Sequence, residues 1–198
     1  MLYKGRKKIA EIYRGGRLIG KIYKGKTKLY DVNPYVKGEV LTESSPDEYE
    51  VLLPRGVYKI AVGGAKGTNV SWAYAGAAWG GSGGGGAFVE VMFFNPKQQA
   101  LVIKAPASGD AVVLLGGQEV IVARGGSDAA IMSPGVGGGF EVAKDLDVLT
   151  TIKAVNGNNG SVAAYATPDV ASVASYGNWG SSANAAGGAR LEYIRYVR

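Results

Sequence analysis

The chain has 198 residues, enough for one main core with a small appendage and too few for two full enzyme domains. It contains neither cysteine nor histidine, which removes thiol nucleophiles, histidine general bases, Cys/His zinc sites and disulfide scaffolds together. No cofactor or metal is expected, and no enzyme. Glycine makes up 32 of the 198 residues, about 16% against a usual share of roughly 7%, while the apolar share of 46% is too high for a disordered chain. The opening Met1-Leu2-Tyr3-Lys4-Gly5-Arg6 lacks the apolar run of a secretory signal. No stretch of about 18 apolar residues follows, so membrane insertion is not expected.

Residues 1–31 carry ten Lys/Arg and two Asp/Glu, a net +8, against −2 for residues 32–198. The basic segment is a repeat with a ten-residue period: Leu2-Tyr3-Lys4-Gly5, Ile12-Tyr13-Arg14-Gly15 and Ile22-Tyr23-Lys24-Gly25 open its three units, and Ile9, Ile19 and Leu29 fall seven residues after each first position. Each unit has room for two very short strands joined at Gly5, Gly15 or Gly25. None can bury its tyrosine and its aliphatic residue alone. The expected role is docking or oligomerisation through Tyr3, Ile9, Tyr13, Ile19, Tyr23 and Leu29, with the basic residues keeping strand edges soluble until they are covered. Such a patch attracts nucleic acid, acidic proteins or other polyanions alike.

Asn33-Pro34 and Glu43-Ser44-Ser45-Pro46-Asp47-Glu48 are polar breaks. They divide the chain into repeats (1–32), a linker (33–48) in which residues 36–42 could add a strand, and a main domain (49–198). The expected class is all-β: short β-hairpin repeats followed by a glycine-rich antiparallel β-sandwich. Candidate strands run over residues 49–53, 57–62, 87–94, 100–105, 111–115, 119–124, 139–143, 150–155, 161–166 and 190–197, Val/Ile-rich and bounded by Gly, Pro, Asn or Asp. Several alternate cleanly, as in Glu119-Val120-Ile121-Val122-Ala123-Arg124. Ten short strands suit two packed antiparallel sheets, with the strand from Leu191 to Val197 closing the core.

Glycine clusters interrupt these strands at 63–67 and 80–86, at 135–139, and within 177–188. The first is no phosphate loop: Lys66 is followed by neither Ser nor Thr, and no helix pattern follows. Such runs allow close backbone approach and repeated turns at positive φ. They could form packed polyglycine-like extended segments, long ordered loops or flexible ones. All three tryptophans sit among them, in Ser71-Trp72-Ala73-Tyr74 with Trp79 and in Tyr176-Gly177-Asn178-Trp179. Uncharged loops rich in rings offer contact area at low entropy cost and stack on sugar faces, so Trp72, Tyr74, Trp79, Tyr176, Asn178 and Trp179 are the candidate ligand-binding residues. The same rings could instead cover the glycines and complete the core.

The repeat from Ile12 to Gly25 resembles the short Tyr-basic-Gly repeats that open many phage virion proteins. The stretch Val57-Tyr58-Lys59-Ile60-Ala61-Val62-Gly63-Gly64-Ala65-Lys66-Gly67, with Gly80 to Gly86 and Phe88-Val89-Glu90-Val91, is similar to the glycine-rich domain of phage tail-fibre and tip proteins. The resemblance implies a structural virion component assembled in the host cytoplasm. Its implied partners are other virion proteins, sister chains in a homo-oligomer with a trimer expected, and a host cell-surface glycan or protein. The chain departs from the pattern in having fewer and shorter glycine runs than the polyglycine adhesins of T-even-like phages, which speaks against a bundled polyglycine core, and in lacking a fibre shaft. A compact tip or appendage fits its length. Two alternatives are a capsid head-fibre or decoration protein without a receptor role, and a nucleic-acid-binding protein using the basic repeats, although no nucleic-acid motif is present. Asp145 and Asp147 are the closest carboxylate pair for glycan hydrolysis, or for a cation with Glu141 or Asp128. They read instead as solvated turn residues.

Overall fold

The computed structural model describes residues 3–4, 7–8, 13–14, 17–18, 21–24, 27–31, 35–44, 47–74, 77–131, 133–160, 162–163 and 186–195. These residues are all-β, as expected, with no helix among them. The repeats supply six strands: β1 (Tyr3–Lys4), β2 (Lys7–Lys8), β3 (Tyr13–Arg14), β4 (Arg17–Leu18), β5 (Lys21–Lys24) and β6 (Thr27–Asp31). They pair antiparallel as β1–β2, β3–β4 and β5–β6, three separate two-stranded sheets. The two strands described in each ten-residue unit therefore pair with each other.

The rest of the chain gives β7 (Val40–Ser44), β8 (Asp47–Leu53), β9 (Gly56–Gly63), β10 (Val70–Tyr74), β11 (Ala77–Gly81), β12 (Phe88–Asn95), β13 (Gln99–Ala105), β14 (Ala111–Leu115), β15 (Gln118–Ala123), β16 (Phe140–Val142), β17 (Val148–Val155), β18 (Val162–Ala163) and β19 (Gly188–Arg195). Two five-stranded antiparallel sheets form, in the orders β17-β12-β9-β19-β7 and β16-β15-β14-β13-β8. Strand β7 lies inside the span expected as a linker and pairs with β19, so the sandwich begins before Tyr49. Alternation sets the core: Tyr58, Ile60 and Val62 of β9, Val89, Val91 and Phe93 of β12, and Leu191 and Tyr193 of β19 are buried. They share one cluster with Leu101, Ile103, Val113 and Ile121 of the second sheet. Strand β19 sits between β9 and β7 with Leu191 fully buried, so it closes the core as expected.

The chain crosses from the second sheet to the first at Pro54-Arg55. Asn95, fully buried, donates to the carbonyls of Leu53 (3.1 Å) and Pro54 (2.9 Å), and the Tyr58 hydroxyl donates to the Pro54 carbonyl at 2.8 Å. This corner fixes how the two sheets face each other, because Asn95 of β12 and Tyr58 of β9 in the first sheet bond to the chain where it leaves β8 of the second.

Five glycine-rich segments continue beyond one end of the sandwich: residues 63–69 after β9, 82–87 before β12, 124–129 after β15, 134–139 before β16 and 156–160 after β17. They pack as a hydrogen-bonded bundle, contrary to the expectation drawn from their short runs. Gly64 and Gly67 donate to Ala87 and Gly84; Gly84 and Ala87 donate to Ser127 and Arg124; Gly135 and Gly138 donate to Ser82 and Gly85; Gly157 and Gly160 donate to Gly138 and Gly135. The bonds recur every third residue. That is the period of an extended threefold helix of the polyproline II type, whereas a β-strand repeats every second residue. In such a helix successive residues face three directions, so one segment can bond to neighbours on several sides.

Segment 82–87 does so, bonding to all four of the others. Surrounded in this way, it is glycine at four consecutive positions, 83–86, all buried. Its neighbours carry side chains where they meet solvent, at Thr68, Asn69, Ser127, Asp128, Val136, Asn158 and Asn159. The requirement is for space and not for turning. Positive φ among the described glycines is confined to Gly38, Gly109, Gly116 and Gly117, outside these five segments, so the expectation of repeated positive-φ turns in the runs fails. A Cβ built on Gly84 would instead overlap the Val136 carbonyl. Fewer glycines suffice than in a long run because several segments separated in sequence combine.

Candidate functional site

The bundle carries two excursions at its end remote from the sandwich, the β10–β11 hairpin and the 129–134 connection, and the short strand β18 joins the first of them. The hairpin grows out of segment 63–69 and returns into 82–87, and β11 also pairs with β18 through Gly80↔Ala163 and Gly81↔Val162. The 129–134 connection closes through mutual bonds between Ala130 and Ser133 and is tied to the hairpin's base by the bond from Ala129 N–H to the Thr68 carbonyl. Backbone pairing thus gathers at one place segments about 60 to 90 residues apart in sequence.

The register of the hairpin brings predicted site residues together. Trp72 stands directly opposite Trp79, and Tyr74 opposite Ala77. Residues two apart on a strand share a face, as do direct cross-strand partners, so Trp72, Tyr74 and Trp79 all belong to one face. Ser71, Ala73, Ala78 and Gly80 occupy the other. Both tryptophans lie in strands and not in loops, a correction to the sequence reading. The missed signal is the alternation of large and small residues in Val70-Ser71-Trp72-Ala73-Tyr74, obscured by the surrounding Gly and Ala. Tyr176, Asn178 and Trp179 lie outside the described residues.

Side chains cap the outward-facing amides of the bundle. Asn69 Oδ1 accepts from Gly83 N–H at 2.9 Å, Asn159 Oδ1 from Gly137 N–H at 2.9 Å, Asp110 Oδ1 from Gly125 N–H at 2.9 Å, and Ser127 Oγ from Val136 N–H at 2.7 Å. Asp128 Oδ1 accepts from Thr68 N–H at 2.7 Å, and bonds from the Thr68 backbone and hydroxyl hold its carboxyl below the ordinary value. Sequence reading offered Asp128 as a possible cation ligand. Here it fixes the base of the hairpin.

Of the predicted docking residues, Tyr3, Tyr13 and Tyr23 lie in β1, β3 and β5, opposite Lys8, Leu18 and Lys28. Leu29 lies in β6 at a register shift, and Ile9 and Ile19 lie outside the described residues. The same registers place Lys4 opposite Lys7 and Arg14 opposite Arg17. Like charges so placed repel. Asp145 and Asp147 fall in the exposed connection between β16 and β17. Among the described residues no group of three or more acidic side chains converges as a metal site, and no helix is long and apolar enough to cross a membrane. A shallow groove of about 150 Å³ lies along β15 and β16, with Glu119 and Glu141 in its wall. Comparison of the chain with protein-family models, with curated proteins and with solved structures finds no match.

Proposed function

We propose that this chain is a structural and binding component of a phage particle, of the tail-fibre, tip or appendage type. Its basic repeats attach it to the assembly, and the far end of its glycine bundle meets a glycan or protein of the host surface. The observation that carries this reading is the placement of Trp72, Tyr74 and Trp79 on one face of a hairpin held at the outer end of a hydrogen-bonded glycine scaffold. Such a scaffold suits a binding tip because its backbone groups are mutually satisfied, so excursions can project from it without unfolding their base. The role is attachment and not turnover, with many copies per particle offsetting weak single sites.

Two variants test the reading. Trp72→Ala combined with Trp79→Ala should abolish attachment to host cells while the melting temperature stays close to wild type; lost stability with retained attachment would assign the rings to packing. Deleting residues 1–31 should leave a folded remainder that no longer joins the particle, and retained incorporation would refute the docking role.

The Lys4↔Lys7 and Arg14↔Arg17 pairs favour one second reading, in which the repeats grip nucleic acid. DNA binding that is tight at 50 mM salt and falls steeply by 200 mM would support it.

A further inference from the structure

The sandwich has four edge strands, β17 and β7 in one sheet and β16 and β8 in the other. Three are poor templates for another strand. β16 has three residues, β17 pairs with β12 through two register shifts that leave Leu149 and Ile152 as extra residues, and β7 pairs with β19 through a further shift. β8 differs: its seven residues pair with β13 in unbroken register from Asp47↔Ala105 to Leu53↔Gln99. Its other edge has no strand partner among the described residues.

The solvent face of β8 carries Glu48, Glu50 and Leu52. Glu48 lies 3.7 Å from the Lys104 ammonium, whereas Glu50 makes no ion pair among the described residues, and Leu52 is 55% exposed. Tyr49 and Val51, on the opposite face, are only partly buried against the rim of the core. The edge thus offers an uncompensated carboxylate and an uncovered aliphatic side chain two residues apart.

We propose that an apolar-Tyr-basic triplet of the repeats leaves its own hairpin, where Lys4, Arg14 or Lys24 pairs with Lys7, Arg17 or Thr27, and adds antiparallel to this edge in a second copy of the chain. Setting Ile22 opposite Leu52 puts Tyr23 opposite Val51 and Lys24 opposite Glu50. The same alignment holds for Ile12-Tyr13-Arg14 and Leu2-Tyr3-Lys4. Aliphatic then meets aliphatic, cation meets carboxylate, and the tyrosine shares the face of Val51 at the core rim. A parallel arrangement would set the cation on Leu52. Pairing of β8 with another β8 would give Glu50 no cation to meet. The edge therefore favours a basic strand over its own kind. Because the two surfaces differ, the contact is heterologous and runs head to tail. This inference rests on the reading that the repeats are the attachment module, and names the surface they bind.

Sedimentation velocity of the full chain over a range of concentrations tests it with two variants, Glu50→Lys and the triple substitution Lys4→Glu, Arg14→Glu, Lys24→Glu. Wild type should self-associate, and each variant alone should do so at least about tenfold more weakly at unchanged melting temperature. Mixed together, the two variants should associate nearly as tightly as wild type, because each then offers the charge the other lacks. A Glu50→Lys chain that associates like wild type would overturn the proposal, as would a wild type monomeric at every concentration or a mixture that stays apart, the last placing the repeats on their own chain. Loss of association on deleting residues 1–31 but not with Glu50→Lys would move the docking surface elsewhere and leave the attachment role standing. Association surviving the deletion would refute that role itself.

Discussion

Gly138 and Gly139 are neighbours in one glycine run with opposite prospects. A Cβ on Gly138 would overlap the Arg124 carbonyl, which is backbone and cannot rotate away; on Gly139 it would meet only Asn156 Oδ1, at 3.9 Å. In Gly138→Ala, segments 134–139 and 124–129 must part. The bonds from Gly138 N–H to Gly85, Arg124 N–H to Gly139 and Gly157 N–H to Gly138 lie directly in the path of that shift. At about 1 kcal/mol net for each of three bonds and about 1–3 kcal/mol for the overpacking itself, the cost is about 4–6 kcal/mol. Gly139→Ala, at a position without positive φ, should stay within about 1 kcal/mol of wild type. Urea denaturation reads both free energies, and thermal melting should place Gly138→Ala roughly 10 °C or more below Gly139→Ala. Equal tolerance of the two would mean that the run is a loop with room on all sides, and the bundle would have to be abandoned.

Asn95→Ala should cost about 1–3 kcal/mol, since it removes two buried bonds at the corner between the sheets while Tyr58 still donates to the Pro54 carbonyl; denaturation at unchanged m-value checks it. Asp128 has its folded pKa below the ordinary 3.8, so its small contribution is complete above that value and is lost as the pH falls through the lower folded one. Acid titration of stability should lose this component in Asp128→Asn, and an unchanged profile would show that the Thr68 contact is not maintained in solution.

The sandwich was legible because water on one side and core on the other impose a period of two, plain in Glu119-Val120-Ile121-Val122. The three hairpin repeats were legible for a related reason: a turn glycine recurring every ten residues leaves space for little else. The bundle was less so. Its threefold period resides in hydrogen bonds between segments distant in sequence, and a glycine chosen for lack of space looks, in the sequence, like one chosen for flexibility. The β10–β11 hairpin was hidden because its second face is Ser, Ala and Gly, too small to register as strand. The direct opposition of Trp72 and Trp79 follows from a register that composition does not encode. The value of β8 as a docking edge depends on bulges in β7 and β17, which only the pairing reveals.

The central claim is directional: the repeats face the assembly and the ring-bearing hairpin faces away from it. Electron cryo-microscopy of the intact particle tests this most directly. The account predicts density for the sandwich with residues 1–31 buried in the particle and the 70–81 hairpin at the outer surface. A chain absent from the particle, or one placed with the hairpin inward and the repeats exposed, would contradict it.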